Sequence, residues 1–259
     1  MEYSQGYVAF IDILGFSKYV SEERNGEKTE ELFQFVEKFC YFYNNTPNLH
    51  TEVAFFSDSI VITSDEIASI VVAIYIAESY LKKSLSLLFR GGIYYGKYYH
   101  NQNITFGPAV ISAYELEKKA IYSRIILDDK IELKEDIAQL VFTDIDGKKC
   151  VNSYSALIDE KIAFGSDGLV YPDGNVIKAI ADTFSQCRNE LLEKIREYKG
   201  TSVVEKYLWR IRPYNYTCDF FANKPCGEML FEPIGFAVNE EFKETIKSLQ
   251  ITEVDLRLL

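Results

Sequence analysis

Apolar residues run almost unbroken from Tyr7 to Ile11 before meeting Asp12, the signature of a buried first strand. Ile13 to Ser17 reads as a tight turn into a helical region. From Glu30 to Tyr43, Leu32, Phe33, Phe35, Val36, Phe39 and Cys40 recur at mostly helical spacing, so that one face packs on a sheet. Asn44 to Asn48 reads as a turn. Glu52 to Phe56 and Ser59 to Thr63 then make two short strands around Ser57-Asp58, a hairpin with an acid at its tip. Asp65 to Lys83 is a long Ile-, Val- and Ala-rich helix, and Leu85 to Tyr95 a strand interrupted by Gly91-Gly92. A helix from about Pro108 to Ala120 and a strand over Arg124 to Leu127 complete the order β-α-β-β-α-β. That order predicts an α+β, ferredoxin-like split βαβ core, in which the first strand and the later hairpin can lie side by side.

Beyond residue 130 the periodicity weakens. Gly165 to Asn175 reads as a Gly-rich loop, Val176 to Tyr198 and Ser202 to Ile211 as helices, and Pro213 as the stop of the second. The organisation expected is a catalytic core over residues 1–140 and a C-terminal extension over 141–259, bringing helical additions packed on that core and not independent of it. No internal repeat or long linker argues otherwise.

With 259 residues and 47% hydrophobic content the chain can bury a substantial core. Its net charge of −11 argues against general binding to a nucleic-acid backbone, although a nucleotide whose phosphates are neutralised by metal remains compatible. No apolar run reaches about 18 residues and no signal segment opens the chain, which points to a cytoplasmic protein without a membrane partner. Cys40, Cys150, Cys187, Cys218 and Cys226 are widely spaced and form no C-x2-C pair, the pattern of reduced, mostly buried thiols. With only His50 and His100 present, histidine-rich zinc chemistry is implausible and oxygen ligands are favoured for any metal.

Asp12 and Asp58, each at the hinge of an apolar strand, are therefore the leading candidates. Buried acids need partners, and two brought together by a sheet make a divalent-metal site. Gly15, in Leu14-Gly15-Phe16, would let phosphate approach backbone N–H groups at a helix start. Arg90-Gly91-Gly92-Ile93-Tyr94-Tyr95-Gly96-Lys97 is the next dense cluster, in which Arg90 and Lys97 either meet phosphates or face solvent. Glu115 and Glu117 read as a solvated helix face, and Arg124 as a cation pointing into a crevice.

Together these residues resemble the catalytic domain of class III nucleotidyl cyclases over roughly residues 5 to 128. Phe10-Ile11-Asp12-Ile13-Leu14-Gly15-Phe16-Ser17 looks like the family's first metal motif, and Phe56-Ser57-Asp58 like its second, with Ser57 where Gly is usual. Arg90 to Gly96 matches the glycine-bearing strand, and Phe106-Gly107-Pro108-Ala109-Val110 the start of the dimer-forming helix. The resemblance places the purine-reading positions at Ala54 and Ile104, neither polar, and the usual helix Asn and Arg at Ile111 and Glu115. Gly107-Pro108-Ala109, Ala113-Tyr114-Glu115-Leu116-Glu117 and Ser123-Arg124-Ile125 resemble most the bacterial pyrimidine cyclases of Pycsar anti-phage defence, with Tyr207-Leu208-Trp209 and Asn215-Tyr216 extending the likeness.

The resemblance implies cyclisation of UTP, in preference to CTP, to a 3′,5′-cyclic monophosphate and pyrophosphate. It implies two divalent cations, Mg²⁺ or Mn²⁺, held by Asp12, Asp58 and the Ile13 carbonyl, with Leu14, Gly15 and Phe16 cradling phosphate. A homodimer with sites at its interface would supply Arg124 from the second copy, with Arg90 or Lys97 as alternative cations. The product would act on a separate cyclic-nucleotide-activated effector. Alternatives are an inactive nucleotide-binding scaffold, or a purine cyclase or nucleotidyltransferase on the same fold.

Overall fold

The computed structural model of the chain describes residues 2–22, 26–46, 49–85, 87–101, 104–133, 140–155 and 174–222. Two compact units divide it: Met1–Ala138 with Lys148–Val151, and Gln139–Gly147 with Asn152–Leu259. The first unit runs β1 (Ser4–Leu14), α1 (Phe16–Glu22), α2 (Glu27–Asn44), β2 (Thr51–Phe56), β3 (Ser59–Ser64), α3 (Ile67–Leu85), β4 (Leu88–Asn101), β5 (Ile104–Phe106), α4 (Pro108–Glu117) and β6 (Ile125–Leu127). β7 (Val141–Thr143) lies in the second unit, and β8 (Lys149–Val151) returns to the first. That return moves a short piece of the expected extension into the core sheet, beside β6.

The sheet order β2-β3-β1-β4 is antiparallel throughout, which is the ferredoxin-like α+β arrangement, and β6 extends it parallel to β4. β1 is central, so side chains on both of its faces are buried: Val8 against α4, and Ala9, Ile11 and Ile13 in the alternate register. That alternate face, with Ile60 and Ile62 of β3, is covered by α2 and α3 through Leu32, Phe35, Phe39, Ile70, Ile74 and Ala77. Phe33, counted by spacing among the packing residues of α2, is 58% exposed. The edge of β2 is closed by Asn44, whose Oδ1 accepts from the Val53 N–H at 2.7 Å while its Nδ2 donates to the Val53 carbonyl at 2.9 Å. A side-chain amide thus stands in for a neighbouring strand.

Gly91 and Gly92 do not interrupt β4. The strand continues through them because Gly92 is where α4 lies on the sheet. A Cβ there would fall 2.4 Å from Leu116 Cβ and 2.5 Å from the Ala113 carbonyl oxygen. Pro108 occupies the first turn of α4, where its missing N–H costs nothing.

The second unit contains α5 (Gly174–Glu197), α6 (Val204–Trp209) and α7 (Ile211–Ala222). Residues 165–173 of the Gly-rich interval fall outside the described residues, while Gly174 and Asn175 already belong to α5. Pro213 does not end a helix: the break falls at Arg210, and Pro213 sits in the first turn of α7, which tolerates proline. Asp144 anchors this unit, accepting from Trp209 Nε1 at 2.8 Å, Arg212 Nη1 at 2.9 Å and the Ile145 N–H at 2.9 Å. Asn152, Ser155 and Thr217 form a second, fully buried hydrogen-bonded group. Cys150 and Cys218 are buried and Cys40 and Cys187 half-buried, with no disulfide between these four; Cys226 lies outside the described residues. Among the described residues no helix is long and apolar enough to cross a membrane.

Candidate active site

Strand register brings the two acids together. Asp12 pairs with Ser59 on β3, and one step beyond that pair the Ile13 N–H donates to the Asp58 carbonyl at 2.8 Å. The tip of the β2–β3 hairpin is thereby tied to the end of β1. Ser57 takes φ +55°, a left-handed conformation that favours glycine, to complete the two-residue turn. Asp12 and Asp58 are both half-buried.

Arg90 is the cross-strand partner of Asp12 on β4. Its Nη2 lies 3.3 Å from Asp12 Oδ2, and its Nε donates to Glu117 Oε1 at 2.6 Å. Arg90 thus joins two carboxylates while about a third of its side chain, 32%, stays exposed. Glu117 corrects the expectation of a solvated face, since its side chain is 5% exposed. Ala109, Ala113 and Glu117, spaced by four, form the stripe of α4 that meets the sheet. Reading the small residues of α4 as its packing face would have found Glu117. Glu115 lies outside that stripe, exposed and paired with Lys118 at 3.0 Å.

The turn Leu14-Gly15-Phe16 leads directly from β1 into α1. Gly15 takes φ +85° with open space where a Cβ would be, and its carbonyl accepts the first helical bond, from the Tyr19 N–H at 3.0 Å. Ala54 shares a sheet face with Asp12 through the register Ala54–Val61–Phe10. Ile104 is exposed on β5, which pairs with the far end of β4. That end approaches β2: the buried His100 side chain places Nε2 3.8 Å from Glu52 Oε2, and its Nδ1 is 2.7 Å from Thr105 Oγ1. Burial pushes His100 below its ordinary pKa of 6.5, with Glu52 pulling the other way.

Like Ile104, Lys97 and Arg124 do not join this cluster within one chain. Lys97 is exposed seven residues further along β4, and strand alternation puts it on the other face from Arg90. Arg124 is 3% exposed at the start of β6, with its guanidinium 5.4 Å from the Tyr122 ring and its carbonyl accepting from the Gly91 N–H at 3.0 Å. Within the single chain it is buried beside β4.

Among the described residues no group of three or more His, Cys, Asp or Glu side chains forms a metal cage. The oxygen donors that the backbone places at this end of the sheet belong to Asp12, Asp58 and the backbone of Ile13. This set is hard, all-oxygen and incomplete, which fits Mg²⁺ or Mn²⁺ completing its shell with phosphate and water better than a closed structural ion.

No protein-family profile and no curated protein matches the chain. Among solved structures, the adenylyl cyclase CyaB from P. aeruginosa is similar at 16% identity and TM-score 0.38, covering 50% of this chain and 80% of that one. The guanylate cyclase domain of RhGC from Catenaria anguillulae, in complex with GTP, is similar at 15% identity and TM-score 0.42, covering 58% and 95%. The monomeric guanylyl cyclase domain of the RhoGC fusion protein from Blastocladiella emersonii gives 14% identity and TM-score 0.40, covering 58% and 96%. Likeness at this level carries no functional argument, and the fold stands on the strand order itself.

Proposed function

We propose that this chain is a metal-dependent nucleotidyl cyclase acting on a pyrimidine nucleoside triphosphate, UTP in preference to CTP. The observation that carries the reading is the meeting of Asp12 and Asp58 at one end of the sheet, secured by the Ile13–Asp58 backbone bond. In the reaction the ribose O3′ bonds to the α-phosphorus, the bond from that phosphorus to the leaving oxygen breaks, the 3′-hydroxyl loses its proton and pyrophosphate departs.

Asp12 and Asp58, with the Ile13 carbonyl, would hold two divalent cations, Mg²⁺ or Mn²⁺, which when bound supply Lewis acidity to the hydroxyl and the phosphates. Arg90 stands beside Asp12 at 3.3 Å and is held in turn by Glu117 at 2.6 Å. The open Leu14-Gly15-Phe16 turn offers backbone groups to the triphosphate. Ala54 and Ile104 bring no polar group to the base, which suits a small pyrimidine ring. The charge developing at the α-phosphate is assigned to Arg124 of a second copy in a homodimer whose assembly must expose that buried side chain, with the exposed Lys97 as the alternative. The cyclic product is proposed to signal to a separate effector in anti-phage defence.

One observation favours a second reading, an inactive nucleotide-binding scaffold. Glu115, where the resemblance expects a transition-state arginine, is exposed and engaged with Lys118. The discriminating experiment is turnover of a nucleoside triphosphate with Mn²⁺ by the wild-type chain and by the Asp12→Asn and Asp58→Asn variants. The cyclase reading expects turnover that both substitutions abolish with the fold intact. Turnover surviving in both variants removes the metal chemistry, and a folded wild-type chain inert toward all nucleotides favours the scaffold.

A further inference from the structure

Arg90 divides its guanidinium unequally. Its Nε makes a short 2.6 Å bond to Glu117, whereas Nη2 reaches Asp12 at 3.3 Å, near the outer limit of a hydrogen bond. The burial of the carboxylates runs the same way: the Glu117 side chain is 5% exposed and that of Asp12 23%. A buried carboxylate pairs more strongly than one open to water, so Glu117 is the partner that fixes Arg90. Glu117 is itself fixed, because α4 lies on the sheet at Gly92 with the Glu117 backbone nitrogen only 2.8 Å from where a Cβ of residue 92 would stand.

We propose that Glu117 is a positioning residue that sets the divalent-cation affinity of Asp12 by holding Arg90 back from it. This rests on the metal reading of Asp12 given above. Arg90 and a cation compete for the same carboxylate. With Nε committed to Glu117, the guanidinium meets Asp12 through Nη2 alone and closes no two-point ion pair on it. Without the Glu117 charge, Arg90 is released to pair with Asp12 face to face, the strong bidentate geometry, and a cation must displace it. The α4–β4 contact thereby tunes a site formed by β1 and the β2–β3 hairpin.

The test is Mn²⁺ binding to the full chain without nucleotide, followed by the loss of the free-ion electron paramagnetic resonance signal, with melting temperature recorded for every variant. In Glu117→Gln the dissociation constant rises about tenfold, the effect of one strengthened competing ion pair. Arg90→Gln removes the competitor and does not weaken binding. The charge-neutral double variant binds like Arg90→Gln, because Glu117 acts through Arg90. A merely structural Glu117 would lower the melting temperature and leave Mn²⁺ affinity in place, and a direct field effect of its charge would persist in the Arg90→Gln background. Either result overturns the inference, as does a tenfold loss on Arg90→Gln alone. Those outcomes apply where wild-type binding is abolished by Asp12→Asn. A wild-type chain with no Asp12-dependent Mn²⁺ binding overturns the metal reading itself, and this inference with it.

Discussion

Replacing Gly92 by Ala should lift α4 from the sheet. The new Cβ would stand 2.4 Å from Leu116 Cβ, 2.5 Å from the Ala113 carbonyl oxygen and 2.8 Å from the Glu117 nitrogen. Ordinary contact begins at 3.4 Å, so helix and strand must separate by about 1 Å, the difference between 3.4 and 2.4 Å. Two of the three obstructing atoms are helix backbone, which no rotamer change can move aside. A gap of that size forfeits a quarter to a half of each van der Waals contact along the seam, and overpacking of this kind costs about 3 kcal/mol. For a unit of this size that is a fall of roughly 10 °C in melting temperature. Far-ultraviolet circular dichroism on heating measures it. Gly15→Ala is the control: it has open space around its Cβ and pays only for φ +85°, about 1 kcal/mol. A Gly92→Ala chain melting within about 2 °C of wild type, or no lower than Gly15→Ala, would refute the packing argument.

Asp144→Ala should destabilise the second unit by about 3–5 kcal/mol, because Arg212 and the Trp209 N–H lose their shared buried acceptor. Trp209 is the only tryptophan, so its fluorescence during urea unfolding reports that loss. His100 binds its proton less readily folded than unfolded, so the stability it contributes is complete above pH 6.5 and declines as pH falls below it. His100→Gln should flatten that acid limb; an unchanged slope would clear His100 of the effect. If the active unit is a homodimer, mixing the Asp12→Asn and Arg124→Ala chains should restore activity that neither has alone, through one intact site per mixed dimer. No recovery in mixed dimers would put both residues in one chain's site, or Arg124 in none.

Much of the first unit is legible because its signals are local. The apolar run ending at Asp12, the two-residue interval Ser57-Asp58 and the Ile- and Val-rich helix after it each fix an element within a few residues. Their order then dictates that β3 pairs with β1 and that the acids meet. Glu117 looks solvated when charge is weighed above helix phase, yet its spacing from Ala109 and Ala113 places it on the sheet. Gly91-Gly92 looked like an interruption because glycine weakens strands, but here its missing side chain admits a helix. Arg124 shows the same limit, since nothing local announces that a cation beside Ile125 is buried. In the second unit the anchors are Asp144 with Trp209 and Arg212, and Asn152 with Thr217, pairs too far apart in sequence to leave a periodic trace. Pro213 likewise marks the beginning of a helix whose predecessor had ended at Arg210.

The most direct measurement is the mass of the product formed when the purified chain is incubated separately with ATP, GTP, CTP and UTP in the presence of Mn²⁺. The account predicts a 3′,5′-cyclic pyrimidine monophosphate with release of pyrophosphate, formed faster from UTP than from CTP and absent in Asp12→Asn. Cyclic AMP or cyclic GMP as the sole product, or no product at all from a folded chain, would contradict it.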